Sequence, residues 1–218
     1  MTATRLIIVD DHPLFRGALS QALALTFPDA TIQEAPSLDA LTQLLAGGAE
    51  IDLVLLDLAM PGVMGLSGLL FLRAQYPEIP VVVVSATEDR VTIRRCIEFG
   101  AAGFVPKSEP VDNIRTAIHA VLAGKVWTPS DVDLALGQTS ESGDLLSRIS
   151  TLTPQQLRVL MMLSEGLPNK LIAFKLSVSE ATIKAHVSQI LTKLHVDSRT
   201  QAVIAINRLD VSEWRANG

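Results

Sequence analysis

Apolar and polar positions follow two different rhythms along this 218-residue chain. Over roughly the first 125 residues, short apolar runs alternate with longer amphipathic ones. The short runs predict strands over 5–9, 31–35, 52–57, 81–85 and 103–105. Several are apolar without alternation, as parallel strands buried on both faces must be. Between them the 3.6-residue period predicts helices over about 13–26, 37–47, 65–76, 88–99 and 110–124, with Ser37 and Glu109-Pro110 as helix starts. Five βα repeats imply a five-stranded, doubly wound parallel α/β sheet with right-handed crossovers.

The rhythm weakens from about 126 to 150. The piece GQTSESGD is short of apolar residues and rich in Ser and Gly. It reads as a linker, with a short helix near 131–136. Beyond it the pattern is purely helical. Thr153-Pro154-Gln155-Gln156 has the form of a capping box with proline at the first helical position. That helix runs to about Glu165 and ends at Gly166. Others are predicted over about 169–176, over about 180–194 with Ser179 as N-cap, and over about 198–209, with Ser177-Val178-Ser179 as the turn between the second and third. Four short helices with tight turns suit an all-α helix-turn-helix bundle. The predicted organisation is therefore 1–125, an α/β domain; 126–150, a linker; and 151–218, a helical domain.

Composition adds three constraints. Apolar residues make up 48% of the chain and aromatic ones only 4%, so the cores must be aliphatic. The single cysteine, Cys96, excludes an internal disulfide and a cysteine-based zinc site, and suits a reducing cytosol. The N-terminal stretch MTATRLIIVDDH reaches two aspartates before a signal-peptide core could form, so a cytoplasmic protein is expected. Residues 53–72 approach the length of a membrane span, but they carry Asp57 and Pro61-Gly62, and a charge in mid-bilayer is costly. No membrane contact is expected.

Charge is split between the parts. Residues 1–147 hold 9 Lys+Arg and 18 Asp+Glu, a net of −9, whereas 148–218 hold 9 and 5, a net of +4. The basic part is expected to face an anionic partner.

The candidate chemistry lies at strand ends. Asp10 and Asp11 end the first predicted strand and Asp57 the third, so all three reach the carboxyl edge of the sheet, where ligands bind at the switch in strand order. At about 4 Å and an effective dielectric of about 20, each carboxylate pair costs about 4 kcal/mol. A divalent cation relieves that cost. Mg²⁺ prefers oxygen ligands and keeps waters that a phosphate can replace. Lys107, after the fifth strand, reaches the same edge and is placed to pair with a transferred phosphoryl group. Ser85, at the end of the fourth, offers a hydroxyl to one phosphoryl oxygen.

The segments LIIVDDHPLFR, DLVLLDLAMPG, VVVVSA and GAAGFVPKS together resemble the receiver domain of two-component response regulators, over about 120 residues. The resemblance implies that Asp57 accepts phosphate from a sensor histidine kinase. It implies that Asp11, Asp57 and the Ala59 carbonyl hold Mg²⁺, with Asp10 acting through water. It makes Ser85 and Phe104 a switch pair: the hydroxyl moves toward the phosphate and the ring turns inward. Ala59 is a departure, since many relatives carry a polar residue there; Met64, where an acidic residue is common, is another.

Residues 151–205, above all GLPNKLIA, SVSEATIKAHVSQIL and LHVDSRTQAV, resemble the LuxR-type output domain of NarL/FixJ-type regulators. Ile183, Val187, Ile190, Leu191 and Leu194 form an apolar stripe that faces the bundle. The opposite face carries Ala181, Ala185, Ser188 and Thr192, flanked by Lys184 and Gln189. Small and polar side chains there let a helix lie deep in the major groove of double-stranded DNA. Lys184 is expected at a phosphate or guanine edge, and Thr182, Asn169 and Lys170 at the backbone, where contacts position rather than specify. The resemblance places Lys184 and Ala185 at contact positions. It puts Ser188 where a basic residue is common, so that one phosphate contact is missing. Gln156 and Leu171 replace acidic residues and are expected to be lost surface ion pairs worth about 0–1 kcal/mol each. His186 and His195 are expected to pack or cap. The last helix, apolar at Ala202, Val203, Ile206 and Leu209, and the family resemblance point to a homodimer reading an inverted repeat.

A phosphorylation-controlled transcription factor follows from these features. Two other functions compete. One is a DNA-binding protein whose acidic domain only dimerises, which the intact carboxylate set opposes. The other is an aspartate-nucleophile phosphatase. That reaction needs a carboxylate two residues after the nucleophile as general acid, and Ala59 stands there, so no enzyme is expected.

Overall fold

In a computed structural model, residues 4–60, 65–132, 145, 147–149 and 151–209 are described. Contacts divide the chain into two compact units, one made of most of residues 1–135 and the other of residues 136–218.

The first unit alternates strands and helices: β1 (Arg5–Val9), α1 (Pro13–Thr26), β2 (Thr31–Ala35), α2 (Leu38–Ala46), β3 (Leu53–Leu56), α3 (Ser67–Gln75), β4 (Val81–Ser85), α4 (Arg90–Glu98), β5 (Gly103–Pro106) and α5 (Val111–Leu122). Each lies within about two residues of its predicted span. The strands form one parallel sheet in the order β2-β1-β3-β4-β5. The order reverses between β1 and β3, which opens a crevice beyond their carboxyl ends.

Burial on both faces explains the unbroken apolar runs. On one face Leu6, Ile8, Leu53, Leu55, Val82, Val84 and Val105 pack with Leu19 and Leu23 of α1 and with Ile114, Ala117, Ile118 and Val121 of α5. The alternate residues Ile7, Val9, Val54, Leu56, Val81 and Val83 are equally buried and point to the opposite face. Edge strand β2 is only half covered, and its sequence, TIQEA, is correspondingly polar. Cys96 is buried, which pushes its thiol well above the ordinary range and leaves it inert.

Trp127, within the stretch read as linker, is tied to β5. It forms a parallel bridge to Gly103, its N–H donates to Ala102 O at 3.1 Å, and its carbonyl accepts from Phe104 N at 3.0 Å. A Cβ on Gly103 would come within 3.1 Å of that carbonyl, so any side chain there would push Trp127 back by a few tenths of an ångström. The predicted helix near 131–136 lies mostly outside the described residues.

The second unit is helical: α6 (Pro154–Ser164), α7 (Asn169–Lys175), α8 (Glu180–Leu194) and α9 (Arg199–Leu209). Both halves of the Thr153/Gln156 capping box are formed. Gly166, with φ 81°, turns the chain after α6. Ser179 caps α8 by accepting from Thr182 N at 3.1 Å. His195 ends α8 in the left-handed region, with φ 55°, the capping role expected of it. Among the described residues no helix is long and apolar enough to cross a membrane.

Candidate functional site

Backbone hydrogen bonds bring the carboxylates together. Asp57 N donates to Val9 O at 2.9 Å, and Asp10 N donates to Ala35 O at 3.1 Å. The ladder thus extends one residue past β1 and β3 and fixes both aspartates at the crevice. Ligand atoms of Asp10, Asp11, His12 and Asp57 all lie within 4.8 Å of one another.

Lys107 joins two of them. The β5 end is held by Lys107 N donating to Ser85 O at 2.7 Å, which aims the side chain across the crevice. Its Nζ lies 2.7 Å from Asp10 Oδ2 and 2.9 Å from Asp57 Oδ2. It also stands 4.6 Å from the centre of the Phe15 ring, a cation–π contact. The two carboxylates are 2% and 1% exposed, and the ammonium 14%, so this ion-pair set is largely cut off from solvent screening.

The set is unbalanced. Burial raises the Asp57 carboxyl above the ordinary aspartate range. The Lys107 ammonium and the Ala59 N–H draw it back, and Asp10 raises it again. One buried oxygen on Asp57, Oδ1, and one on Asp11, Oδ1, accept no hydrogen bond. His12 Nδ1 is 2.9 Å from that Asp11 oxygen, but not in a direction that makes a hydrogen bond. Two orphaned buried carboxylate oxygens facing one crevice are a fit for a hard cation, whose preferred ligands are oxygens.

Ser85 and Phe104 are both fully buried. Val83 pairs with Phe104 and Ser85 with Pro106, so Ser85 and Phe104 lie on one face of adjacent strands. The ring is already inside, and the Ser85 hydroxyl accepts from Thr87 N at 3.3 Å.

Sequence reasoning missed three neighbours of this site: His12, Phe15 and Arg16. Arg16 donates from Nη1 to Asp10 O at 2.6 Å and from Nε to Glu34 Oε2 at 3.0 Å, clamping the end of β1 to β2. Their position, immediately after Asp10-Asp11 and within the first turn of α1, was the available signal.

The second unit presents α8. Ile183, Ile190 and Leu194 are buried, with Val187 and Leu191 half-buried, as the stripe requires. Ala181, Thr182, Lys184, Ala185 and Ser188 are exposed, as is Lys170 on α7. The Lys184 ammonium pairs with Glu180 at 3.2 Å. The Thr182 hydroxyl is 2.8 Å from the Ser179 hydroxyl. Asn169 is half-buried and its Oδ1 accepts from Arg199 Nη1 at 3.3 Å, so its oxygen ties α7 to α9. Gln156 corrects an expectation: it is 4% exposed rather than on the surface, because its position in the first turn of α6 carries it beneath Lys193 of α8.

Comparison with known proteins agrees with this division. The family described as "Response regulator receiver domain" matches residues 6–119, and "Bacterial regulatory proteins, luxR family" matches 150–206. The "Glycerol metabolism activator" of Pseudomonas putida is 39% identical over 216 residues, covering 96% of this chain and 98% of that one. "Nitrate/nitrite response regulator protein NarP" of Escherichia coli (strain K12) is 34% identical over 204 residues, covering 93% and 94%. The crystal structure of a LuxR family DNA-binding response regulator from Silicibacter pomeroyi is 28% identical with a TM-score of 0.52, covering 60% of this chain and 99% of that one. A structure of two RcsB dimers bound to two parallel DNAs shares the fold, at 22% identity and a TM-score of 0.55, covering 94% and 98%.

Proposed function

Since the chain belongs to the bacterial response regulators that join a receiver domain to a luxR-type DNA-binding domain, we propose that phosphorylation of Asp57 by a sensor histidine kinase in the cytoplasm controls its dimerisation and its binding to double-stranded DNA. The observation that carries this is the buried Asp10–Lys107–Asp57 set with its orphaned carboxylate oxygens. A buried ion-pair set is costly to desolvate, and a phosphoryl site gives it a use.

In the proposed transfer, a carboxylate oxygen of Asp57 attacks the phosphorus of a phosphohistidine. The P–N bond breaks, and the imidazole leaves with its electron pair. Lys107 stays beside the reacting carboxylate and pairs with the incoming phosphoryl oxygens. Asp11 and Asp57, the Ala59 carbonyl, and Asp10 through water would hold Mg²⁺, which supplies charge neutralisation for the phosphoryl oxygens. The Ser85 hydroxyl accepts from Thr87 N, which leaves its own proton to donate to a phosphoryl oxygen, and Phe104 shares its sheet face. The phosphoryl group adds about −1.5 to −2 charge, enough to bias a two-state loop. In the second domain Lys184, Ala185 and Ser188 would face the groove, with Thr182, Lys170 and the Asn169 amide nitrogen at the backbone. The working boundaries are 1–125, 126–150 and 151–218.

Phosphate incorporation from acetyl phosphate or a phosphorylated kinase domain, with Mg²⁺, tests this. Wild type should incorporate one phosphoryl group in an acid-stable, hydroxylamine-sensitive acyl linkage, and Asp57→Ala none. Undiminished incorporation by Asp57→Ala would contradict it.

A further inference from the structure

Gln156 reaches beyond its own helix. Its Oε1 accepts from Thr153 N at 3.0 Å and from Lys193 Nζ at 2.8 Å. Lys193 Nζ also donates to Thr151 O at 2.7 Å. A backbone N–H and an ammonium are donors only, so the amide oxygen of Gln156 must face them. Its Nε2 therefore faces Gln189 and donates to Gln189 Oε1 at 2.7 Å. The orientation of the second amide follows from the first: Gln189 turns its oxygen inward and is left with its NH₂ as the outward group. Gln189 is exposed and lies four residues, about one turn, beyond Ala185, on the flank of the α8 surface proposed to face DNA.

We propose that Gln189 contacts DNA as a hydrogen-bond donor, and that Gln156 is the positioning residue that locks its amide in that sense. The inference rests on the DNA-facing role of α8. DNA offers acceptors to such a donor in two places, phosphate oxygens and the purine edges of the major groove. The polarity matters because an amide carbonyl turned toward a phosphate would be repelled.

The substitution Gln156→Glu separates this from a purely structural role. A carboxylate at that position accepts from Thr153 N, from Lys193 Nζ and from Gln189 Nε2. Gln189 then turns round and presents its oxygen outward. At the same time the new charge pairs with Lys193 and sits in the first turn of α6, where the helix dipole favours an acid. The same change is expected to stabilise the fold and weaken DNA binding.

The test uses the full-length chain with beryllofluoride and Mg²⁺, a duplex of arbitrary sequence, and a randomised duplex library. Gln189→Ala should weaken binding about fivefold, the loss of one hydrogen bond, with an unchanged salt slope because no side-chain charge is removed. Gln156→Glu should weaken binding comparably while raising the melting temperature. In the Gln156→Glu background, Gln189→Ala should cost nothing. A loss uniform across sequences assigns a phosphate, and an altered preference at one base position assigns a base edge. Wild-type affinity in Gln189→Ala, or an equal loss in both backgrounds, would overturn the proposal while leaving the DNA-facing role of α8 intact. A wild-type chain that binds neither duplex would remove both.

Discussion

The acidic crevice and the α8 surface are two charged regions of this molecule built on opposite terms. In the crevice, three charged side chains are 1–14% exposed and lie 2.7 and 2.9 Å apart. On α8, Lys184 is 66% exposed and its partner Glu180 46%. A buried charge must be matched by a partner or it destabilises the fold. An exposed one costs the fold almost nothing, whichever sign it has. The crevice therefore displays its chemistry in a single chain at rest. The helix surface displays only what it leaves uncovered, and its polarity is legible chiefly where buried groups dictate it, as Gln156 does for Gln189.

The contrast is most sharply tested by removing one charge from each region. Lys107→Ala leaves Asp10 and Asp57 facing each other without a cation. Stability to urea near neutral pH should fall by about 3 kcal/mol. The deficit should shrink as pH falls through the aspartate range, and Mg²⁺ should restore part of it by binding the folded state. A loss below about 0.5 kcal/mol, the level of an exposed pair, would mean the crevice is solvated.

Lys184→Ala should leave the melting temperature unchanged and act on DNA binding alone. Affinity should fall about tenfold, and the slope of log affinity against log salt should shrink by about one unit, the signature of one phosphate contact. Because Glu180 partly neutralises Lys184, Glu180→Gln should move both quantities the other way. A salt slope unmoved by either substitution would place this part of α8 away from the phosphates.

The smallest effect concerns pH. The Asp57 carboxyl is raised chiefly by burial. A group raised in the folded state contributes stability below its unfolded value and loses it as pH rises through the folded value. Asp57→Asn does not titrate, so it should match wild type in acid and become the more stable as pH rises toward neutrality. Thermal melts across the series, without added metal, measure this. A variant that is less stable than wild type at neutral pH would reverse the assigned sign.

What was legible in the sequence follows the same division. Asp10 and Asp57 could be placed because unbroken apolar runs mark buried parallel strands, and whatever follows such a run lies at the sheet edge. Lys107 followed by the same logic from β5. The capping box and the Ser179 cap were legible because capping is local. His12, Phe15 and Arg16 were missed although they directly follow the aspartates; the packing that was not legible is non-local. Trp127 pairs with β5 beside Gly103, 24 residues away in sequence, and its polar, turn-rich surroundings read as linker. Asn169 is held by Arg199, 30 residues away. Gln156 is covered by α8, which its own neighbourhood in sequence does not reveal.

The central claim is that Asp57 governs DNA binding by the second domain. The most direct measurement is affinity for duplex DNA at fixed salt, with and without beryllofluoride and Mg²⁺, for wild type and Asp57→Ala. Tighter binding with beryllofluoride in wild type, and no response in Asp57→Ala, is the expected result. Equal affinity in all four cases would contradict it, and would reduce the first domain to a passive dimerisation module on an unchanged fold.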